Sequence, residues 1–249
     1  MIYASSVTTH VLKHAFAVCL WIAGAATASA QSDMRGHWSG KVDTPEGTLG
    51  VEIDLDKTAT GWIGSLSMPT RAMTGIPLDS VTFADGKASF VVQGGPGGQR
   101  FTGTLSTDGK TLEGAFAAGP ESHALELTRT GEARVDLPKP NPAIAPEFLG
   151  TWAGTIQFDQ LGGPPLRVTV TISNGTAGAD AQVVSLDQGN AQLPVNTITQ
   201  KGTKLTLEVK VAGGMYEGEI NPAGTEINGT WSQLGNSTAL VLKKATPVR

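Results

Sequence analysis

Phe101-Thr102-Gly103-Thr104-Leu105-Ser106-Thr107-Asp108-Gly109-Lys110-Thr111-Leu112-Glu113-Gly114-Ala115-Phe116 decides the fold, because its pattern returns later in the chain. The second copy is Tyr216-Glu217-Gly218-Glu219-Ile220-Asn221-Pro222-Ala223-Gly224-Thr225-Glu226-Ile227-Asn228-Gly229-Thr230-Trp231. Aromatic, glycine and aliphatic positions recur at a constant offset of 115, and Leu125 and Leu127 continue the match as Leu240 and Leu242. A fixed offset over so many positions is the mark of an internal repeat.

Within each copy the apolar residues alternate with polar ones. If Asp108-Gly109 is a two-residue type I′ turn, the dipeptide's usual setting, Leu105 faces Leu112, Gly103 faces Gly114 and Phe101 faces Phe116. Placing Ala223-Gly224 in the same way sets Ile220 against Ile227, Gly218 against Gly229 and Tyr216 against Trp231. Glycine weakens a strand, so a facing pair of glycines in both copies predicts a bulky neighbour over the backbone there. The candidates for that neighbour are each copy's own tryptophan, Trp38 or Trp152, and a bound ligand.

Working outward, Gly36-His37-Trp38-Ser39-Gly40 recurs as Gly150-Thr151-Trp152-Ala153-Gly154. Leu49, Val51, Ile53 and Leu55 likewise match Leu166, Val168, Val170 and Ile172, each alternating with polar residues. A period of two with one wet face reads as half-buried β-strand, and no window sustains a helical period. Turn signals such as Asp85-Gly86 punctuate about eight short strands per copy. The expected fold is all-β: two tandem antiparallel up-and-down β-barrel-like modules over 31–130 and 148–249. Pro138, Pro140, Pro142 and Pro146 mark an extended linker over 131–147.

The first 30 residues read as a cleavable export signal. His10, Lys13 and His14 precede an apolar run from Ala15 to Ala23, and Ala28-Ser29-Ala30 forms an A-x-A site with cleavage after Ala30. The run is shorter than the roughly 20 residues that cross a bilayer, so a periplasmic or secreted location without a membrane span is expected. The chain's single cysteine, Cys19, lies inside that signal, which leaves no disulfide and no thiolate metal site in the rest. Of 18 basic residues only Lys13 lies in the signal, leaving 17 against 22 acidic and a net charge of −5. That balance argues against nucleic acid or an anionic membrane as partner.

The two G-x-W openings, Gly36-His37-Trp38 and Gly150-Thr151-Trp152, resemble the first-strand motif of the lipocalins and related calycin barrels. In that family the tryptophan packs at the closed end under a basic residue from the last strand. Arg129 and Lys244 share the faces of Leu125/Leu127 and Leu240/Leu242, so either cation would lie over its indole, a contact worth roughly 0.5–2 kcal/mol. A second resemblance rests on Ser185-Leu186-Asp187-Gln188-Gly189, Leu193-Pro194-Val195, Tyr216-Glu217-Gly218 and Asn228-Gly229-Thr230-Trp231-Ser232-Gln233. These are similar to the β-barrel module upstream of the catalytic domain in some exported bacterial α/β-hydrolases. Module one keeps Ile76-Pro77-Leu78 and Glu113-Gly114-Ala115-Phe116 but has Thr70 and Arg71 where module two has Asp187 and Gln188. The resemblance implies the barrel alone, since the chain has no G-x-S-x-G nucleophile elbow.

No constellation with catalytic or metal-binding spacing stands out, and no cofactor is implied. Gly109-Lys110-Thr111 lacks the upstream glycine of a phosphate loop, Thr104 standing in its place. His37 and His123, on the first and last strands of one barrel, would be neighbours if those strands pair, although two imidazoles make a poor site without a carboxylate. Glu52, Asp54 and Asp56 read as the wet face of a strand. An eight-stranded barrel is just wide enough to be filled or to hold one small ligand. The expectation is therefore a noncatalytic binding protein holding a small apolar molecule, with Trp38, Phe101, Phe116 and Arg129, and Trp152, Tyr216, Trp231 and Lys244, lining or closing the cavities. The alternative is an accessory module with solid barrels that binds a protein partner, such as an exported hydrolase.

Overall fold

The structure is a computed structural model that describes residues 33–44, 47–95, 97–158 and 163–245; the expected signal and its cleavage point lie outside these residues. The described residues form 17 strands joined by turns and short 3-10 segments. The first eight strands are β1 (Gly36–Thr44), β2 (Gly47–Thr58), β3 (Gly61–Met68), β4 (Met73–Ala84), β5 (Lys87–Val92), β6 (Arg100–Leu105), β7 (Thr111–Ala118) and β8 (Glu121–Gly131). Each pairs antiparallel with the next, and β8 returns to β1 to close a barrel. Alternation drives the closure: Val51, Ile53 and Leu55 of β2 are buried, while Glu52, Asp54 and Asp56 between them remain partly exposed.

The second copy comprises β9 (Gly150–Ile156), β10 (Leu166–Gly175), β11 (Gly178–Ser185), β12 (Ala191–Pro194), β13 (Thr197–Lys201), β14 (Lys204–Val209), β15 (Gly214–Ile220), β16 (Glu226–Gln233) and β17 (Asn236–Lys244). They form one curled sheet in the order β12-β11-β10-β9-β17-β16-β15-β14-β13. Its two edge strands are consecutive in the chain, separated by Val195 and Asn196 alone. The matching stretch of the first copy is β4, an unbroken strand that borders both β3 and β5 and absorbs its bend at a register shift between Asp79 and Thr82, with Ser80 at φ 51°. The second copy thus follows the same path with its fourth strand snapped in two.

The proline-rich linker covers the gap. The Ala179 N–H donates to the Asn141 carbonyl and the Ile198 N–H to Asn141 Oδ1, so one residue bridges β11 and β13. Beyond it, Asn174 exchanges two hydrogen bonds with Ile144, the Ala145 N–H donates to Gln200 Oε1, and Ile144 is buried in the second core. Gly178 (φ 117°) sits so near the Asn141 carbonyl that a side chain would collide with it. Prolines suit a segment that lies in a sheet gap through side-chain hydrogen bonds instead of a backbone ladder.

Both hairpins adopt the registers expected from sequence: Leu105 opposite Leu112, Gly103 opposite Gly114 and Phe101 opposite Phe116, with Ile220–Ile227, Gly218–Gly229 and Tyr216–Trp231 in the second copy. The turns differ from the expectation. A type I′ turn needs positive φ at both central residues, but only Gly109 and Gly224 of the two pairs have it. Each loop is two residues wider, closed by Gly109 N–H to Ser106 O and Gly224 N–H to Asn221 O. Side chains set this preference: Ser106 Oγ and the Lys110 N–H both donate to Asp108, while Asn221 Oδ1 accepts from the Thr225 and Glu226 amides.

Candidate binding site

The floors of the two copies are built alike. Trp38 is fully buried, its Nε1–H donating to the Met34 carbonyl at 3.0 Å, and the Arg129 guanidinium lies 4.6 Å from its ring centroid. Trp152 is equally buried and donates to the Phe148 carbonyl at 2.8 Å, with Lys244 Nζ 5.0 Å from its ring. In each case the chain before the first strand tucks a fully buried side chain, Met34 or Phe148, beneath the indole and offers its carbonyl to it. The cations fasten that entry segment: Arg129 donates to the Asp33, Arg35 and Gly109 carbonyls, and Lys244 to the Glu147 carbonyl. Desolvation by burial lowers the Arg129 pKa from its ordinary value, with Asp33 and Glu132 opposing, and the guanidinium remains charged. These four residues are floor, and none lines the cavity described below.

The side chain that covers the facing glycines is not the tryptophan. The neighbour is the hairpin's own aromatic ring: a Cβ on Gly103 would lie 2.5 Å from Phe101 Cζ, and one on Gly218 would lie 2.5 Å from the Tyr216 hydroxyl oxygen. Each ring folds back along its own strand, Phe101 over Gly103 and Tyr216 over both Gly218 and Gly229. Phe101 stacks on Phe90 at 5.0 Å, and Tyr216 donates to the Ile227 carbonyl at 2.9 Å. Burial raises the Tyr216 pKa, which keeps the phenol protonated as that donor.

Above Phe101 the first barrel is not filled. A cavity of about 580 Å³ occupies its mouth half, walled by the buried apolar residues Val42, Val51, Leu66, Met73, Ile76, Val92 and Leu125 and by the half-buried Phe116. Thr44, Arg71, Gln99, Glu121 and His123 supply polar groups to its wall. Of the eight residues expected from sequence, Phe116 alone lines this cavity. In the second copy Trp231 stands at the Phe116 position, 5% exposed, and its six-membered ring presses on Gly214 so closely that a Cβ there would clash. The first copy has Gln99 in place of Gly214, on the cavity wall.

The second copy completes the wall. Val211, Ala212, Gln233 and Leu234 also line the cavity, and Val211 packs against both cores. Lys210 Nζ pairs with Asp136 at 2.8 Å, and Asn196 Nδ2 donates to Gln93 Oε1 at 3.4 Å. Sequence reasoning missed these residues because they belong to the other repeat; the signal available was Leu234-Gly235 standing where a tight hairpin normally carries Asn-Gly.

The two histidines are not neighbours. Antiparallel pairing sets His37 at the start of β1 opposite Gly131 at the end of β8, whereas His123 pairs with Phe116 at the mouth. Each has a carboxylate that spacing did not reveal: His37 Nδ1 lies 3.0 Å from Asp54 Oδ1, and His123 Nε2 lies 3.7 Å from Glu121. Asp54 also accepts from the Arg134 N–H, so the His37 pair pins the start of the linker to the floor. Asp187 and Gln188 are likewise occupied structurally, by the Arg167 guanidinium and backbone N–H and by Ser185 Oγ.

No family model matches the chain, and no curated protein matches it. Among solved structures it is similar to a protein of unknown function from the DUF3598 family of Nostoc punctiforme, at 15% identity and a TM-score of 0.24, over 85% of this chain and 96% of that one. It is also similar to kievitone hydratase from Nectria haematococca, at 8% identity and a TM-score of 0.20, over 85% of this chain and 90% of that one. Superpositions this loose assign no role to any residue.

Proposed function

We propose that this chain is an exported, noncatalytic binding protein that holds one small, largely apolar molecule in the mouth half of its first barrel. The observation that carries the reading is the cavity of about 580 Å³. Ligand sites span roughly 300–1,000 Å³ and combine apolar walls with a few placed polar groups, and this cavity has both. Packing elsewhere makes the gap more telling, because Phe90, Phe101 and Trp38 are fully buried in the lower barrel. A core that merely failed to pack would lose stability in proportion to its void. The polar groups at hand, Thr44, Gln99, Glu121 and His123 among them, suit hydrogen bonding to a polar end of the ligand.

A second reading, a protein-docking accessory, draws on Met215 and Leu234, which are 42% and 49% exposed and line one groove beside the mouth. Native mass spectrometry of the full chain purified from a periplasm separates the two. A co-purifying small molecule, or stoichiometric binding of the fluorescent probe N-phenyl-1-naphthylamine that Phe116→Trp abolishes, is the expected result. A bare protein mass with no probe binding would overturn it, and capture of an exported protein in that case favours the accessory.

A further inference from the structure

We infer that the second copy is the outer wall of the first copy's cavity, so that the duplicated chain makes one binding site and not two. Val211 and Leu234 then decide how long a molecule it accepts and how slowly that molecule leaves. The inference rests on the reading of the cavity as a binding site, and three independent observations carry it beyond that reading.

The first is how the Lys210–Ala212 turn is held. Trp231 Nε1–H donates to Gln233 Oε1 at 3.1 Å, and Gln233 Nε2–H donates to the Ala212 carbonyl at 2.9 Å. The Lys210 N–H donates to Asn196 Oδ1, and Asn196 in turn reaches Gln93 of the first barrel. The indole that fills the second copy's interior thus anchors the turn that places Val211 against the first core. The buried Trp231 of the second copy thereby helps brace a wall of its neighbour's cavity.

The second is Leu234. Gln233 pairs with Asn236, so Leu234-Gly235 is a two-residue hairpin loop, with φ 49° and 84°. Positive φ at both positions is the type I′ pattern, which favours Asn, Asp or Gly first and penalises a branched apolar side chain. The half-exposed Leu234 side chain thus stands in a strained position on the cavity wall, while its backbone is held by Asn236 Nδ2 donating to its carbonyl and by its own N–H donating to the Gly213 carbonyl, each at 3.4 Å. Strain of this kind concentrates where a side chain is needed for function.

The third is the closeness of the joint. Gly94 lies against Pro194, and Gly213 lies between Leu234 and Met73; a Cβ on Gly213 would meet Leu234 Cδ2 at 2.8 Å. Both glycines have positive φ (67° and 57°), and their lack of a Cβ lets the Pro194 ring and the Leu234 and Met73 side chains seat directly against the backbone.

The test is stopped-flow release of N-phenyl-1-naphthylamine from the full chain. Leu234→Asn relieves the turn and removes the wall, so its melting temperature should hold or rise while the probe leaves about tenfold faster, a loss that appears in the off-rate. Val211→Ser should speed release similarly. Unchanged release in both variants, with Phe116→Trp still abolishing binding, would overturn the shared wall and leave the first barrel as the whole site. A wild-type chain that binds no probe would overturn the binding reading itself, and this inference with it.

Discussion

The two copies agree at the floor and part at the mouth. At the floor a buried indole, a cation over its ring, and a carbonyl four residues back recur with only Arg exchanged for Lys and Met for Phe. At the mouth one copy keeps its fourth strand whole around an open cavity; the other breaks that strand at Val195-Asn196, accepts the linker into the gap, and fills its interior with Trp231. In both copies the floor ties the entry segment to the last strand, and it is this part that the repeats share. The mouths diverge, one surrounding a cavity and the other contributing Val211, Ala212, Gln233 and Leu234 to that cavity's wall.

The sharpest way to break that comparison is to remove each indole. Trp38→Ala and Trp152→Ala each delete a fully buried side chain and its hydrogen bond and leave a cation without its ring. Each should cost about 3–5 kcal/mol in urea unfolding, and the two costs should agree within about 1 kcal/mol. If one variant were nearly neutral, the floors would be alike in shape but not in load.

A smaller effect isolates the mouth. Asn141→Ala removes the acceptor of the Ile198 N–H, the contact that ties linker to edge strand. An amide left without a partner should cost about 1–3 kcal/mol, and hydrogen exchange at Ile198 should accelerate while amides of the first barrel keep their protection. Equal acceleration in both copies would mean that the first barrel also depends on the linker seam.

Much of this was legible beforehand, for identifiable reasons. Period-two alternation and the glycine and aromatic pairs determine the hairpin registers, and those survive the wrong turn type because a loop two residues wider lies on the same pairing diagonal. The cations over Trp38 and Trp152 follow from counting twos along the last strand. What sequence hid was set by contacts between distant segments. Local alternation does not say that Phe101 folds onto its own glycine, that Asn141 enters a sheet gap, or that Val211 of one repeat walls the other. Strand adjacency alone would make His37 and His123 neighbours, but the antiparallel direction of β1 and β8 sends them to opposite ends.

The gentlest probe is the Arg167–Asp187 pair, which exists in the second copy alone because Gly50 and Thr70 occupy the corresponding sites of the first. Asp187 accepts from both the guanidinium and the backbone N–H of Arg167, and the side-chain bond, the larger influence, holds its carboxyl below the usual carboxylate range. A depressed folded pKa means that the pair's contribution is fully present above the ordinary carboxylate pKa, about 4, and is lost as pH falls through the lower folded value. The melting temperature of Asp187→Asn should therefore lie slightly below wild type at neutral pH, and the two should converge in strong acid. Because the pair is exposed to solvent, added salt should narrow the neutral-pH gap as well. A gap that persists unchanged in acid would assign the stabilisation to the loop's shape instead of its charge.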